Sequence, residues 1–168
     1  IFNNYQTIQR ILEIKNDPLN EKKLLEIHLL VAKDTMHKSE EGAFRTTNDI
    51  HVIDTTDGTV VHTPPTSDTI QILMHDLYDF FNNDSETPFI HPIVKACVIH
   101  FMIGFIHPFA GGNGRTARAL FYWYLLKKGY WLTEYMSISR LILRCKAQYA
   151  RAYQYSETDD NDHTYCIK

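Results

Sequence analysis

The chain has 168 residues, 44% of them apolar and 22% charged, with a formal net charge of −3 at pH 7. That is enough apolar material for one buried core, and the charge offers no basic footprint for nucleic acid. No apolar run reaches the roughly 18 residues a membrane helix needs, so neither a nucleic acid nor a membrane is expected as a partner.

Three cysteines, Cys97, Cys145 and Cys166, form no CxxC pair and are odd in number. Reduced thiols and a cytoplasmic location are the expectation. The chain opens on Ile1 and stops at Lys168 within the apolar pattern Tyr165-Cys166-Ile167, so residues 1–168 are read as a single domain and a fragment of a longer chain.

Most segments carry helical periodicity. Tyr5, Ile8, Ile11 and Leu12 make a short apolar stripe, closed by Asn16-Asp17-Pro18. A second helix is predicted to start near Asn20 and to run through Leu24, Leu25, His28 and Val31. Residues 50–61 break the pattern. Ile50-His51-Val52-Ile53 and Thr59-Val60-Val61 are β-branched runs separated by a turn containing Asp57-Gly58, which is a hairpin signal. Thr63-Pro64-Pro65 ends it, because proline cannot continue the ladder.

A further helix opens at Ser67 or Asp68 and buries Ile70, Leu73, Met74, Leu77 and Phe81, with Asn82-Asn83-Asp84-Ser85 as its polar exit. Pro92 suits a helix N-terminus, and Ile93, Ala96, Cys97, His100, Phe101 and Gly104 follow at helical spacing until Pro108 stops them. The next helix runs from about Gly114 or Arg115 to Lys128, where two lysines and Gly129 form a C-terminal signal. A last helix, from near Ser137, is predicted to bury Ile138, Leu141, Ile142, Cys145 and Tyr149, and Glu157 to Asp162 reads as a polar linker. The fold class expected is all-α with one β-hairpin.

Residues 107–118, His-Pro-Phe-Ala-Gly-Gly-Asn-Gly-Arg-Thr-Ala-Arg, concentrate the chemistry. His107 can accept a hydroxyl proton near neutral pH. Gly112, Asn113 and Gly114 can form a turn that aims backbone N–H groups at phosphate, as the first turn of the following helix also can. Arg115 and Arg118, three residues apart, share a helix face and can present two guanidinium forks to one anion. Pro108 and Phe109 read as architectural, Pro108 setting the helix end and Phe109 inserting beneath the loop. His100 has no third ligand at a zinc spacing, and a hydrogen-bonded core histidine is the expectation there. A degenerate P-loop fails because Phe109 stands at its first glycine position and the preceding segment reads as helix.

This stretch resembles the Fic-domain signature, His-Pro-Phe-x-Asp/Glu-Gly-Asn-Gly-Arg-x-x-Arg, at every fixed position but one. Gly111 stands where the family carries its acidic residue. The order of the other elements is similar to that family from about Tyr5 to Lys168. The resemblance implies a Fic-type helical domain with a β-hairpin flap over the active site, here residues 50–65, approached through Gly42-Ala43-Phe44-Arg45.

It implies protein adenylyltransferase activity: AMP passes from ATP to a Ser, Thr or Tyr hydroxyl of a target protein. His107 would deprotonate the hydroxyl, and Gly112, Asn113, Gly114, Arg115 and Arg118 would hold phosphates, with the Asn113 amide reaching the α-phosphate and the two arginines clamping the β- and γ-phosphates. Val60, Val61, His62 and Thr63 would lie near target and nucleotide. Gly114, in place of a lysine, fits nucleotidyl transfer better than Doc-like phosphotransfer.

The family's acidic residue helps hold Mg²⁺, so the resemblance implies Mg²⁺ as cofactor while Gly111 removes its usual protein ligand and leaves no metal residue here. A slowed enzyme, a nucleotide- or peptide-binding module without catalysis, and an introduced substitution at Gly111 stay open, as does transfer of another phosphate-containing group. Many Fic domains also carry a Ser/Thr-x-x-x-Glu-Gly/Asn inhibitory helix whose glutamate pairs with the second arginine, here Arg118. Ser39-Glu40-Glu41-Gly42 lacks that spacing, since position 37 is His, so an inhibitory helix in cis outside 1–168 or in trans stays open.

Overall fold

A computed structural model describes residues 2–53, 58–83 and 89–158. Helix α1 (Phe2–Ile14) lies on α2 (Glu21–Ala32), a two-stranded hairpin follows as β1 (Val52–Ile53) and β2 (Val60–His62), and α3 (Ile70–Asn82) continues from a 3₁₀ turn at Ser67–Thr69. The central pair is α4 (Pro92–Ile106) and α5 (Asn113–Lys127). After a 3₁₀ turn at Trp131–Tyr135 come α6 (Ile138–Arg144) and α7 (Lys146–Thr158). The architecture is helical with one small antiparallel hairpin, as expected.

Local chemistry explains most boundaries. Asn20 caps α2 by accepting the Lys23 N–H at 3.0 Å, and Pro92 occupies the first turn of α4, where its missing N–H costs nothing. α5 closes on Lys127 with Gly129 in the left-handed region at φ 83°, which an L side chain rarely adopts. Ile11, Leu24, Ile27, Met74, Phe81, Ile99, Ile103, Leu120 and Trp123 are fully enclosed. Each such side chain contributes about 1.5–3 kcal/mol of burial, which holds α4 and α5 at the centre of the other helices.

In the hairpin Val52 pairs with His62 and Ile53 with Val60, with an irregularity between them. Gly58 falls in the expected turn, whereas Asp57 lies outside the described residues, as do Asp84, Ser85 and residues 159–162 of the expected linker, whose first two residues, Glu157 and Thr158, belong to α7 instead. One prediction is corrected. The helix from Ser137 breaks at Cys145 into α6 and α7, and Leu141 and Cys145 are exposed rather than buried. The Cys145 backbone (φ −116°, ψ 32°) is non-helical, and hydrogen bonds from its N–H to Leu141 and Ile142 finish α6. Among the described residues neither Cys97 nor Cys145 is in a disulfide.

α7 returns to the central pair through two tyrosines. Tyr149 Oη lies 2.7 Å from His100 Nε2, so His100 is the hydrogen-bonded histidine expected, and burial holds its pKa down at about 4. Tyr153 donates to the Phe101 carbonyl at 2.6 Å and lies across Gly104, where a Cβ would come within 1.9 Å of its Oη. Among the described residues no helix is long and apolar enough to cross a membrane.

Candidate active site

The α4–α5 connection is the stretch whose chemistry stood out in the sequence. α4 ends because His107 turns left-handed (φ 48°, ψ 56°) ahead of Pro108, a conformation that is uncommon for a side chain with a Cβ. In that conformation its Nδ1 lies 3.1 Å from the Gly104 carbonyl. A carbonyl can only accept, so the neutral ring carries its proton on Nδ1 and keeps the lone pair on Nε2. Burial lowers the His107 pKa from its ordinary 6.5, and the neighbouring His62 and Arg45 push the same way. The side chain is therefore a neutral acceptor of protons at pH 7.

Arg45 fixes the peptide groups on either side of this turn. Its backbone N–H donates to the Pro108 carbonyl at 2.9 Å and its Nε to the His107 carbonyl at 2.8 Å. The rest of the guanidinium donates to Thr47 O at 2.7 Å, on the approach to the hairpin, and to Pro65 O, on its exit. One buried side chain thus ties the base of the hairpin to the His107 turn. The sequence marked Arg45 only as part of a flap approach; nothing local signals contacts across sixty residues.

Beyond the turn, Phe109 is fully enclosed, as expected. Asn113 spans the loop: its Oδ1 accepts the Phe109 N–H at 3.0 Å and its Nδ2 donates to the Phe109 carbonyl at 2.8 Å. The structure therefore differs from the expectation that the Asn113 amide reaches outward. Its side chain is buried and spent on holding the loop closed. Gly112, left-handed at φ 77°, is the N-cap of α5, and its carbonyl takes the N–H groups of Arg115 and Thr116. Among the described residues no side chain caps this terminus. The N–H groups of Asn113 and Gly114, the remaining first-turn donors, are the ones suited to an anion, and the helix dipole adds partial positive charge there.

Both arginines flank that terminus. A Cβ on Gly112 would lie 3.6 Å from Arg115 Nη2, and one on Gly114 would lie 3.5 Å from Arg118 Nη1. Arg115 is partly occupied, donating to Val31 O at 2.6 Å and Thr35 Oγ1 at 3.0 Å. Arg118 is half-buried, and among the described residues it makes no hydrogen bond or ion pair. Burial lowers its pKa, with Tyr149 and Tyr122 opposing the shift and Arg115 adding to it. Arg115 is thus the more engaged of the two. Both line a cleft of about 290 Å³ between α1, α5 and residues 134–139, with Asn4, Thr7 and Tyr122.

Of the hairpin residues, Val60 and Val61 are exposed and Thr63 Oγ1 lies 3.5 Å from His51 Nδ1. His62 is held inward, beside His107. It is buried, its Nε2 lies 2.7 Å from the Phe105 carbonyl, and its ring packs on Phe105, so it anchors the hairpin to α4 instead of facing outward.

Mg²⁺ takes oxygen ligands, ideally six. At the position of the family's acidic residue, Gly111 offers no side chain, and a Cβ there would meet the Met36 methyl at 2.7 Å. Among the described residues no group of three or more His, Cys, Asp or Glu is disposed to hold a metal. The residues present do not fit a protein-held Mg²⁺.

One residue that sequence reasoning treated as helix core enters the site. His28 of α2 is fully enclosed; its Nδ1 accepts the Gly42 N–H at 2.9 Å and its Nε2 lies 2.9 Å from the Gly111 carbonyl. Its ring stacks on Phe109 at 3.7 Å between centroids, with 4° between planes. Burial lowers its pKa below 6.5.

Residues 18–125 match the Fic/DOC family. Over 123 residues the chain is 34% identical to a protein adenylyltransferase Fic of Aedes aegypti, covering 73% of this chain and 23% of the relative. Over 117 residues it is 32% identical to one of Nematostella vectensis, covering 69% and 25%. The chain thus spans about a quarter of the curated relatives it matches. Among solved structures it is similar to a Fic family protein from Desulfovibrio desulfuricans, with a TM-score of 0.77 and 29% identity over 98% of this chain and 47% of that one. A Fic-domain signaling protein from Bacteroides thetaiotaomicron aligns with a TM-score of 0.64 and 25% identity, covering 76% and 47%.

Proposed function

Because the chain belongs to the Fic/DOC family, we propose that it transfers AMP from ATP to a Ser, Thr or Tyr hydroxyl of a target protein. One observation carries the reading. His107 donates from Nδ1 to Gly104, which leaves Nε2 as a neutral base beside an uncapped helix N-terminus.

His107 Nε2 takes the hydroxyl proton as the hydroxyl oxygen bonds to the α-phosphorus. The bond from that phosphorus to the bridging oxygen breaks, and pyrophosphate leaves with the electron pair. A base placed in this way typically contributes ~10²–10⁴-fold. The N–H groups of Asn113 and Gly114 receive charge developing on the phosphoryl oxygens, and Arg118 with Arg115 holds the departing pyrophosphate in line. Gly112 and Gly114 leave room for that approach. Val60 and Val61 form an exposed strand edge on which a target segment can add as a third strand, with Thr63 at its end.

Transfer from α-labelled ATP with Mg²⁺ to the chain itself and to a cell lysate tests the reading. Label is expected from the chain as it stands and is expected to vanish with His107→Ala while ATP binding persists. Loss of binding together with transfer would make His107 structural. Binding without label from the unaltered chain would leave a nucleotide-binding module, the second reading, which the missing carboxylate at Gly111 favours.

A further inference from the structure

We infer that His28 is a positioning residue for the transfer. Its ring locks the Gly111–Gly112 peptide so that the Gly112 N–H is turned to the phosphate side of the loop.

The lock follows from which atoms can donate. A backbone N–H can only donate, so the Gly42 N–H requires His28 Nδ1 to be the acceptor. In a neutral ring the proton then sits on Nε2, which donates to the Gly111 carbonyl at 2.9 Å. A trans peptide is planar, with its C=O and N–H pointing in opposite directions. Holding the Gly111 oxygen on α2 therefore turns the Gly112 N–H away from α2. Two consecutive glycines oppose a flip of this peptide very little, because neither carries a Cβ. A flipped peptide would aim a carbonyl dipole at the anion instead of an N–H.

His28 is itself held rigidly. It is enclosed on α2, stacked face to face on Phe109, and close enough to Gly112 that a Cβ there would lie 3.3 Å from Nε2. One helical turn further along α2, the Val31 carbonyl takes Arg115. α2 thus sets both the loop peptide and one clamp, and through Gly42 it also holds the approach to the hairpin. An ordinary core histidine would satisfy its two nitrogens anywhere. This one spends them on two backbone segments that border the same site.

The role rests on the transfer proposed above, whereas the lock itself does not, and the test separates the two. In 1–168, the amide of Gln at position 28 can replace the Nε2 donor to Gly111, and the amide of Asn can replace the Nδ1 acceptor for Gly42. Hydrogen exchange at residues 111–116 and at Gly42, ATP affinity by calorimetry and label transfer are measured on both variants. His28→Asn is expected to speed exchange at 111–116 about tenfold, the size of one ordinary lost hydrogen bond, and to weaken ATP binding and transfer. His28→Gln is expected to keep both near the unaltered chain and to expose the Gly42 amide instead. Equal behaviour of the two variants, or greater damage from Gln, would overturn the inference. The unaltered chain supplies an independent check: ring-nitrogen NMR is expected to show His28 protonated on Nε2, and an Nδ1-protonated ring would overturn the lock. If the unaltered chain binds ATP and transfers no label, the transferase reading fails, while exchange and affinity still decide the lock.

Discussion

Arg45 Nε donates to the backbone carbonyl of His107 at 2.8 Å, so a buried cation sits on the last peptide before the Pro108 turn. The C-terminal end of α4 carries partial negative charge, which favours a guanidinium there. The same side chain bonds to carbonyls on both flanks of the hairpin, at Thr47 and Pro65.

Arg45→Met keeps much of the volume and deletes these donors, leaving buried carbonyls unsatisfied. It is expected to destabilise the fold by about 2–4 kcal/mol, since hydrogen bonds to a charged group are worth ~1.5–3 kcal/mol each. Arg45→Lys keeps the charge without the fork and is expected to fall between. Urea unfolding measures both, and an unaltered midpoint for the methionine variant would show that the clamp is dispensable.

Met36 reaches the space that a side chain at 111 would need. A Cβ on Gly111 would meet only its terminal methyl, the end of a flexible side chain, and Gly111 is not among the left-handed residues. Gly111→Asp is therefore expected to fold, and to raise Mg²⁺-dependent transfer by up to ~10²-fold, the scale of one electrostatic stabiliser. The gain is expected to be larger when Met36→Ala clears the space. Transfer rates across a Mg²⁺ series decide it; no gain in either variant would mean that the missing carboxylate is not what limits the reaction.

The pH dependence follows from His107. The reaction uses the neutral ring, and burial disfavours the imidazolium, so the folded pKa lies below the ordinary 6.5. Transfer is expected to stay level as pH falls through 6.5 and to decline only as pH passes the depressed value. A kcat/KM profile with its acidic limb at or above 6.5 would contradict this environment for His107.

Much of the fold was legible because its signals are local. Asn20, Pro92 and Gly129 mark helix ends by chemistry that acts within one turn, and the β-branched runs in residues 50–61 mark the hairpin. His107, Gly112, Gly114, Arg115 and Arg118 were legible as one cluster because twelve consecutive residues carry them. His28, Met36 and Arg45 were not, since each reaches the loop across more than sixty residues and periodicity records only which face is buried. The Asn113 amide turns inward, and His62 is anchored on α4, for a related reason. Residue type shows what a side chain can bond, while the competing backbone partners, at Phe109 and Phe105, come from the fold. The break at Cys145 escaped because the apolar spacing runs straight through it.

Gly104 gives its carbonyl to His107 and its bare α-carbon to Tyr153. The first use orients the base, and the second lets α7 lie against α4. A side chain added at position 104 would press on the Tyr153 ring and push α7 off α4, at the very residue whose carbonyl orients the base.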